Sequence, residues 1–388
     1  MALLPDKVVA ATLLALAFLL PASPAPAQEL LRIQGKPVAS IGDGSGKGQD
    51  LSLVGDATLA PDGRILILDG GSHSIRVYSP TGAFLRSVGR DGDGPGEYRG
   101  FRSFRLLPSG ELLVYDGVAQ RLTRLDADLE MVDTRRVAFD VGAGIPVRSD
   151  LRPLNSSTVL IARGDVSIME SVRRGDGRYE DDLVVVAHRD EASTAILKRP
   201  RGPTFKVSTG RQGLFPPVPF EEALLFAAGA SWLVSGTTHG TTFDLVGEDG
   251  EPLGTFELAG TPRPVTSRDW DLFKDRFREA RSGGFTIRGM QMQSGTNVEK
   301  FLDETPRGRL FPLFDALLVD QSDRLWVREY SLEGDTVTWQ IAERDRGVTG
   351  RLDIPRAWTL LEAGRDYVLV RERDEYDVEM VRKYAIGR

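Results

Sequence analysis

Two aspartates occupy equivalent places in a repeated segment of this 388-residue chain. Asp69 and Asp116 each end a run of apolar residues, and they lie 47 positions apart. Neighbouring carboxylates can bind a metal ion, for which calcium is the candidate cofactor, or a cationic ligand. An aspartate at the end of a strand can instead cap the following turn. The sequence leaves both roles open, so Asp69 and Asp116 are candidate metal ligands and candidate binding residues.

Four further side chains are candidate binding residues: His73, His239, Trp270 and Arg328. The chain has three histidines and no cysteine, whereas zinc sites need such residues in clusters. We interpret His73 and His239 as loop residues and place His188 within a strand, which argues against a zinc site. Trp270 offers an aromatic surface either to a ligand or to the core. Arg328 ends the second strand of a later repeat.

Two other chemistries have weaker sequence support. Asp91, Asp93 and Glu97 lie in a glycine-rich linker and could offer oxygen ligands to calcium, but their spacing matches no complete calcium-binding loop. We interpret this linker as a solvated turn. No serine stands in a Gly-x-Ser-x-Gly pattern and no cysteine exists, so covalent hydrolysis is unsupported and no catalytic residue is assigned.

The elements that position these residues are short strands in a repeating order. Six residues recur 47 positions later in the chain: Ser40, Gly42, Leu59, Pro61, Gly63 and Asp69 reappear as Ser87, Gly89, Leu106, Pro108, Gly110 and Asp116. Each copy contains four apolar runs, and a Pro-x-Gly turn joins the first run to the second. Four antiparallel strands at this period predict one blade of a β-propeller.

The remaining sequence continues the pattern in weaker form. Strand pairs within 157–246 predict blades three and four, residues 316–342 predict a fifth blade, and residues 367–386 predict a sixth. The strand at 38–42 is left over, and we expect it to close the ring against the last blade. The fold class is therefore all-β, a six-bladed propeller of four-stranded antiparallel blades.

Two insertions interrupt this pattern, at residues 164–182 and 259–309. Trp270, Phe273 and Phe277 have helical spacing within the second insertion, which predicts a short amphipathic helix with Ser267 as its N-cap. Both insertions fall between strands two and three or between consecutive blades. Connections of those two kinds emerge on one face of a propeller, so we expect that face to be functional and the helix to cover it.

The run from Gly89 to Tyr98, together with residues 65–69 and 72–78, resembles the NHL-repeat consensus and the secreted bacterial six-bladed propellers related to it. The resemblance is specific over residues 38–135 and weaker beyond them, apart from 311–328. It implies a scaffold rather than one activity, because similar propellers include binding modules, lactonases that use calcium and lyases that use zinc.

The N-terminus predicts export. Lys7 precedes an apolar run over residues 8–20, and Ala25-Pro26-Ala27 follows, which is typical of a cleaved signal peptide over residues 1–27. The apolar run is shorter than the roughly 20 residues that a membrane-spanning helix needs. We expect a periplasmic or secreted propeller domain over residues 28–388, as a monomer. The net charge of −7 argues against nucleic acid as a partner.

Two functions fit these observations. The first is a noncatalytic scaffold that binds a protein, peptide or glycan on the covered face, because the insertions gather there and no catalytic set assembles. The second is a metal-dependent hydrolase or lyase, similar to a lactonase, with its site at the mouth of the central channel. Asp69 and Asp116 would then be metal ligands.

Overall fold

The structure is a computed structural model. It describes residues 29–388 except for 138–145, 154, 156, 165–174, 190–191, 210–211, 215–216, 283–284, 288–289, 293–294 and 345. The signal peptide predicted over residues 1–27 lies outside the described residues. Neither described helix combines the length and the apolar composition of a membrane-spanning segment.

Blades one and two are four-stranded antiparallel sheets with the predicted strand order. Blade one consists of β2 (Val54–Leu59), β3 (Ile65–Asp69), β4 (Ser74–Tyr78) and β5 (Phe84–Val88). The linker after it holds β6 (Arg90–Asp91) and β7 (Glu97–Tyr98), and blade two consists of β8 (Phe101–Leu106), β9 (Leu112–Asp116), β10 (Arg121–Leu125) and β11 (Met131–Arg136). Gly63 and Gly110 adopt φ of +87° and +86° in the first turn of each blade, a conformation that favours glycine.

Blades three to five repeat this arrangement, with connections that differ in length. Blade three consists of β12 (Pro146–Pro153), β13 (Thr158–Gly164), β15 (Asp182–Arg189) and β16 (Ala192–Pro200), and β14 (Gly177–Tyr179) lies between its second and third strands. A linker with β17 (Thr204–Thr209) and β18 (Gln212–Leu214) leads to blade four, which consists of β19 (Leu224–Ala228), β20 (Trp232–Thr237), β21 (Thr242–Gly247) and β22 (Pro252–Glu257). Blade five consists of β27 (Phe314–Val319), β28 (Leu325–Glu329), β29 (Thr336–Glu343) and β30 (Gly347–Pro355).

Blade six combines strands from both ends of the chain. It consists of β31 (Thr359–Ala363), β32 (Tyr367–Arg373), β33 (Glu379–Gly387) and, as its outer strand, β1 (Glu29–Ile41). Residues 39–41 of β1 pair antiparallel with residues 381–383, as the prediction of an N-terminal closing strand requires. Strand β1 is longer than predicted, and its first three residues pair in parallel with β30 of blade five. The described residues thus form six four-stranded units.

The apolar core lies between neighbouring blades, because alternate side chains of each strand point toward the adjacent sheet. One cluster joins blades one and two through Leu66, Leu68, Phe104 and Val114, all buried. Another joins blades five and six through Trp326, Trp339 and Val368. This burial packs these blades against their neighbours.

The insertion between blades four and five contains two helices, α1 (Ser267–Ser282) and α2 (Gly295–Glu304), and the short strands β23 (Arg263–Pro264), β24 (Phe285–Ile287), β25 (Met290–Met292) and β26 (Leu310–Phe311). The predicted helix over this segment is present. The sequence did not predict α2, nor the sheet that β14 forms with β17 and β18.

The N-cap of α1 is Thr266, so the prediction of Ser267 is wrong by one residue. Thr266 Oγ1 accepts a hydrogen bond from the Asp269 N–H at 3.2 Å, and Asp269 Oδ2 accepts one from the Thr266 N–H at 2.8 Å. This reciprocal pair is a capping box. Arg263 donates two hydrogen bonds of 2.7 Å to the same carboxylate, which holds the pKa of Asp269 well below its usual range.

Candidate ligand-binding site

Asp69 ends the second strand of blade one and is fully buried. Its Oδ1 accepts hydrogen bonds from the N–H groups of Ser52 and Gly71 at 3.1 and 3.3 Å. Its Oδ2 accepts from the Ser72 hydroxyl at 2.6 Å and from the Arg76 guanidinium at 3.0 Å. The carboxylate therefore ties the turn between strands two and three to the linker that enters the blade.

Asp116 has the same role in blade two. Its Oδ1 accepts hydrogen bonds from the N–H groups of Val118 and Ala119, both at 2.9 Å, and its Oδ2 accepts from the N–H of Arg99 at 2.6 Å. The capping role proposed for both aspartates is thus present in the structure. Neither carboxylate is among the residues that line the channel cavity described below, although the sequence predicted both near its rim.

The two loop histidines have separate partners. His73 adopts φ of +50°, and its Nδ1 lies 2.7 Å from Oδ1 of Asp91. The Nε2 of His239 lies 3.1 Å from the carbonyl oxygen of Leu310, at the end of the helical insertion. Each histidine therefore contacts a linker or insertion on the face where the sequence predicted function.

The acidic linker after blade one does not fit a calcium ion as it is arranged here. Asp93 forms an ion pair with Arg99, Glu97 forms one with Arg90, and Asp91 contacts His73. Hydrogen bonding from Arg99 lowers the pKa of Asp93. Most carboxylate oxygens of this linker already accept from cationic or N–H donors, so few are left for calcium. Among the described residues, no group of three His, Asp or Glu side chains is placed to hold a metal ion.

Trp270 packs within an aromatic cluster at the base of the insertion. Its ring stacks on Phe273 with centroids 5.4 Å apart and contacts Phe220 edge-on at 6.3 Å. The guanidinium of Arg307 lies 5.4 Å from its centroid. Phe220 also stacks on Phe311 at 5.8 Å. The cluster fixes helix α1 to the propeller, which corresponds to the packing interpretation of the aromatic residues.

A cavity of about 980 Å³ lies on the propeller axis. Inner strands of different blades form its wall, namely β2, β19, β27 and β31, together with Ser103 of β8. Of the predicted site residues, the structure brings only Arg328 to this cavity. The other five lie at strand ends, on blade turns or in the insertion.

Arg328 is held by a carboxylate and an aromatic ring. It donates hydrogen bonds of 2.6 and 3.0 Å to the two carboxylate oxygens of Asp315, the second residue of the inner strand of the same blade. The ring centroid of Trp339 lies 5.8 Å from its guanidinium carbon. Burial raises the pKa of Asp315, although the hydrogen bonds from Arg328 act in the opposite direction. This ion pair is bidentate and fixed in orientation.

Blade six contributes a second group of charges. Glu379 accepts hydrogen bonds from the Val54 N–H at 2.6 Å and from Arg373 at 2.8 Å. Arg371 donates to the carbonyl oxygen of Val54 at 2.7 Å and lies 3.7 Å from Glu379. Burial lowers the pKa of Arg371. These contacts also join blade six to blade one.

Arg356 lies in the linker between blades five and six, and its hydrogen-bond partners among the described residues are all neutral. It donates to the carbonyl oxygens of Ser331 and Glu333, both at 2.7 Å, and to two further carbonyl oxygens at longer distances. Burial and the charges of Arg276 and Arg328 lower its pKa. Its positive charge is therefore partly desolvated without a carboxylate in contact.

The cavity mouth shares a face with the helical insertion. Arg276 of α1 donates to the carbonyl oxygen of Gly334 at 3.2 Å, and Arg356 donates to the same oxygen at 3.2 Å. Arg268 of α1 forms an ion pair with Glu333 in this loop. One loop of blade five is thus held between the helix and an arginine of the cavity wall, beside the channel mouth.

The two ends of the channel differ in charge. Five arginines and three carboxylates line the large cavity: Arg201, Arg328, Arg356, Arg371 and Arg373, with Asp56, Asp315 and Glu379. A second cavity of about 520 Å³ lies toward the opposite end, and its charged lining residues are Asp56, Asp320, Asp323, Glu362 and a single arginine, Arg105. The end that faces the insertion is therefore positive within a chain of net charge −7.

Glu362 stands at the negative end and contacts three blades. Its carboxylate accepts hydrogen bonds from the Leu59 N–H at 2.9 Å, from Gln321 at 2.5 Å and from the Tyr367 hydroxyl at 2.7 Å, and the Thr58 hydroxyl donates to it as well. Burial raises the pKa of Glu362 to about 7 in spite of these donors. The group connects blade six to blades one and five.

Sequence reasoning found one of the five cavity arginines. Arg328 pairs with Ala316 across strands β27 and β28, and the residue in this register in blade one is the buried Leu68. The sequence therefore contained one signal for Arg328: it is a charged residue at a position that is apolar in the two clear repeats. The other arginines come from linkers and from blade six, where the repeat is too weak to align.

Comparison with known proteins supports the fold. The sequence model of the DUF5128 family, described as a 6-bladed beta-propeller, matches residues 51–150. A search of curated protein sequences found no significant match. A structure of a DUF4221 family member from Bacteroides vulgatus is 11% identical, with a TM-score of 0.51, over 93% of this chain and 99% of that one.

Two further structures align over nearly the whole chain. A protein from Bacteroides fragilis, described as exported, is 14% identical with a TM-score of 0.46, over 94% of this chain and 97% of that one. The PQQ-bound aldose sugar dehydrogenase from Streptomyces coelicolor is 11% identical with a TM-score of 0.43, over 94% of this chain and all of that one. The four-stranded sheets and the family match over residues 51–150 show that the chain is an all-β propeller.

Proposed function

We propose that this protein is an exported, noncatalytic β-propeller that binds a peptide, protein or glycan ligand at the channel mouth beside the helical insertion. The observation that carries the proposal is the cavity of about 980 Å³, which lies among the inner strands of four blades. A concave site lined by aromatic side chains and a few fixed polar groups is typical of ligand binding. Export to the periplasm or the extracellular space rests on the predicted signal peptide.

The alternative of a metal-dependent hydrolase or lyase stays a prediction. Its two proposed ligands, Asp69 and Asp116, accept hydrogen bonds from backbone N–H groups of their own turns. These contacts favour a structural role for both residues. Metal analysis of the purified protein tests the alternative directly.

A variant that fills the mouth tests the proposal. Thr359 is exposed at the start of the inner strand of blade six and lines the cavity. The mature protein, from Gln28 onward, would first be screened on glycan and peptide arrays. We expect Thr359→Trp to weaken binding of the ligands found by more than about tenfold, since a bulky side chain occupies their space.

The matched control is Thr194→Trp, an exposed position on the outer strand of blade three. This variant should bind like the wild type, and circular dichroism should show both variants folded. Equal binding by Thr359→Trp and the wild type would place the ligand elsewhere. Turnover of a bound ligand would contradict the noncatalytic assignment.

A further inference from the structure

The cavity mouth holds more positive than negative charge, and its arginines differ in how far they are neutralised. Arg328 has both oxygens of Asp315, and Arg373 has ion pairs with Glu379 and Asp377. These pairs leave little net charge for a ligand. The surplus therefore comes from the other three arginines of the cavity wall.

Those three arginines have weak or neutral partners. Arg356 donates to backbone carbonyl oxygens, and the carboxylate nearest to Arg371 is 3.7 Å away and shared with Arg373. The side chain of Arg201 has no hydrogen bond or ion pair with another described residue. A guanidinium that is partly buried without a counter-ion is unfavourable, and an anionic ligand would remove that penalty.

The cavity wall also offers aromatic rings next to the arginines. Trp358 follows Arg356 by two residues, lines the cavity and stacks on Tyr384 with centroids 4.7 Å apart. Trp339 lies beside Arg328. Indole rings fixed by packing bind extended apolar faces, such as the C–H face of a sugar ring, at low entropic cost. Planar guanidinium groups match the geometry of carboxylates.

We infer that the ligand of this site is an acidic glycan, an oligosaccharide of uronic acid, whose carboxylates contact Arg201, Arg356 and Arg371 and whose sugar rings pack near Trp358. This inference rests on the proposed function and narrows it to one ligand class. A neutral glycan would leave the three arginines without counter-ions. An acidic peptide would satisfy the charges but would not use the tryptophan in the same way.

The test is calorimetric titration of the mature protein with four probes: trigalacturonate, a glucuronate trisaccharide, neutral maltotriose and triglutamate. We expect at least one uronate trisaccharide to bind and the two other probes to bind at least about tenfold more weakly. Added salt should weaken the uronate interaction, because dissolved ions reach the open mouth of the cavity and screen its charges. Equal binding of maltotriose, or preferred binding of triglutamate, would overturn the acidic glycan.

Substitution of Arg201 locates the binding site. Arg201→Gln should weaken uronate binding by about tenfold, and Arg201→Glu should abolish it, because the loss of one charge-assisted hydrogen bond is of that order. Both variants should fold, since the guanidinium has no described partner. Arg136→Glu, at an exposed position on the outer strand of blade two, applies the same charge change outside the cavity and should have no effect.

The inference and the proposed function fail in different ways. If Arg201→Glu bound the uronate as tightly as the wild type does, the anion would not bind in this cavity, and the inference would be wrong. Failure of both uronate trisaccharides to bind, while another array ligand still responds to Thr359→Trp, would overturn the acidic glycan and leave the proposed function intact. If none of the array ligands bound more weakly to Thr359→Trp than to the wild type, the proposed function itself would be contradicted.

Discussion

Four donors converge on the buried carboxylate of Asp69, and one of them is a guanidinium that is itself mostly buried. Replacement by alanine leaves these donors unsatisfied in an interior site. We expect Asp69→Ala to lower the free energy of unfolding by about 3 kcal/mol, the loss typical of one partner of a buried ion pair. Denaturant unfolding of both proteins measures this difference.

Asp50 provides a matched control because it pairs with the same arginine. Its carboxylate is 77% exposed and lies 3.4 Å from Arg76, so Asp50→Ala should lower the free energy of unfolding by less than about 1 kcal/mol. The metal hypothesis makes a different prediction. If Asp69 were a metal ligand, Asp69→Ala would remove a stoichiometric ion that mass spectrometry detects in the wild type, with little change in stability.

At the level of single elements, the start of helix α1 gives a sharp test. Thr266→Ala removes the side chain that accepts from the Asp269 N–H, and we expect a loss of about 1 kcal/mol in helix stability. This loss should appear as faster hydrogen exchange of the first backbone amides of α1 in the variant than in the wild type. Ser267→Ala, one residue later, should exchange like the wild type. The opposite result would make Ser267 the N-cap.

The elements that the sequence predicted are those with local signals. The turn Pro-x-Gly and its flanking apolar runs located β2, β3, β8 and β9, because the turn chemistry and the alternation act within a few residues. The outer strand β16 was missed because it is mainly exposed and has no apolar pattern. The sheet of β14, β17 and β18 joins segments from two connections, and such pairing depends on tertiary contact rather than local sequence.

Most of the candidate site could not be predicted from the sequence for the same reason. Arg201 follows blade three, Arg356 precedes blade six, and Arg371 lies within the second strand of blade six. They are far apart in sequence, and only the closed arrangement of inner strands brings them to one cavity. A single sequence identifies charged residues but does not show that three arginines share a wall. The fold class, in contrast, could be predicted from the sequence, because a repeat indicates it.

At the scale of the whole molecule, blade six holds the inner strand of blade one with side chains. The free edge of β2 faces the axis, and an unpaired strand edge needs partners for its backbone groups. Glu379 accepts from the Val54 N–H at one end of β2, and Glu362 accepts from the Leu59 N–H at the other. Gln321 of blade five also donates a hydrogen bond to the Glu362 carboxylate. These glutamates connect the first and last blades beside the channel.

This connection predicts a pH dependence of stability, because burial raises the pKa of Glu362 from 4.5 to about 7. Between these values the folded protein keeps the carboxyl protonated, whereas the unfolded chain has lost the proton. Unfolding then releases a proton, so the contribution of Glu362 to stability is full below pH 4.5 and declines as pH rises toward about 7. Glu362→Gln keeps an uncharged group of similar shape and should lack this decline. Denaturant unfolding of both proteins across this range measures it. If the difference in unfolding free energy between the wild type and Glu362→Gln stayed constant across this pH range, Glu362 would titrate alike in the folded and unfolded states, and the prediction would be wrong.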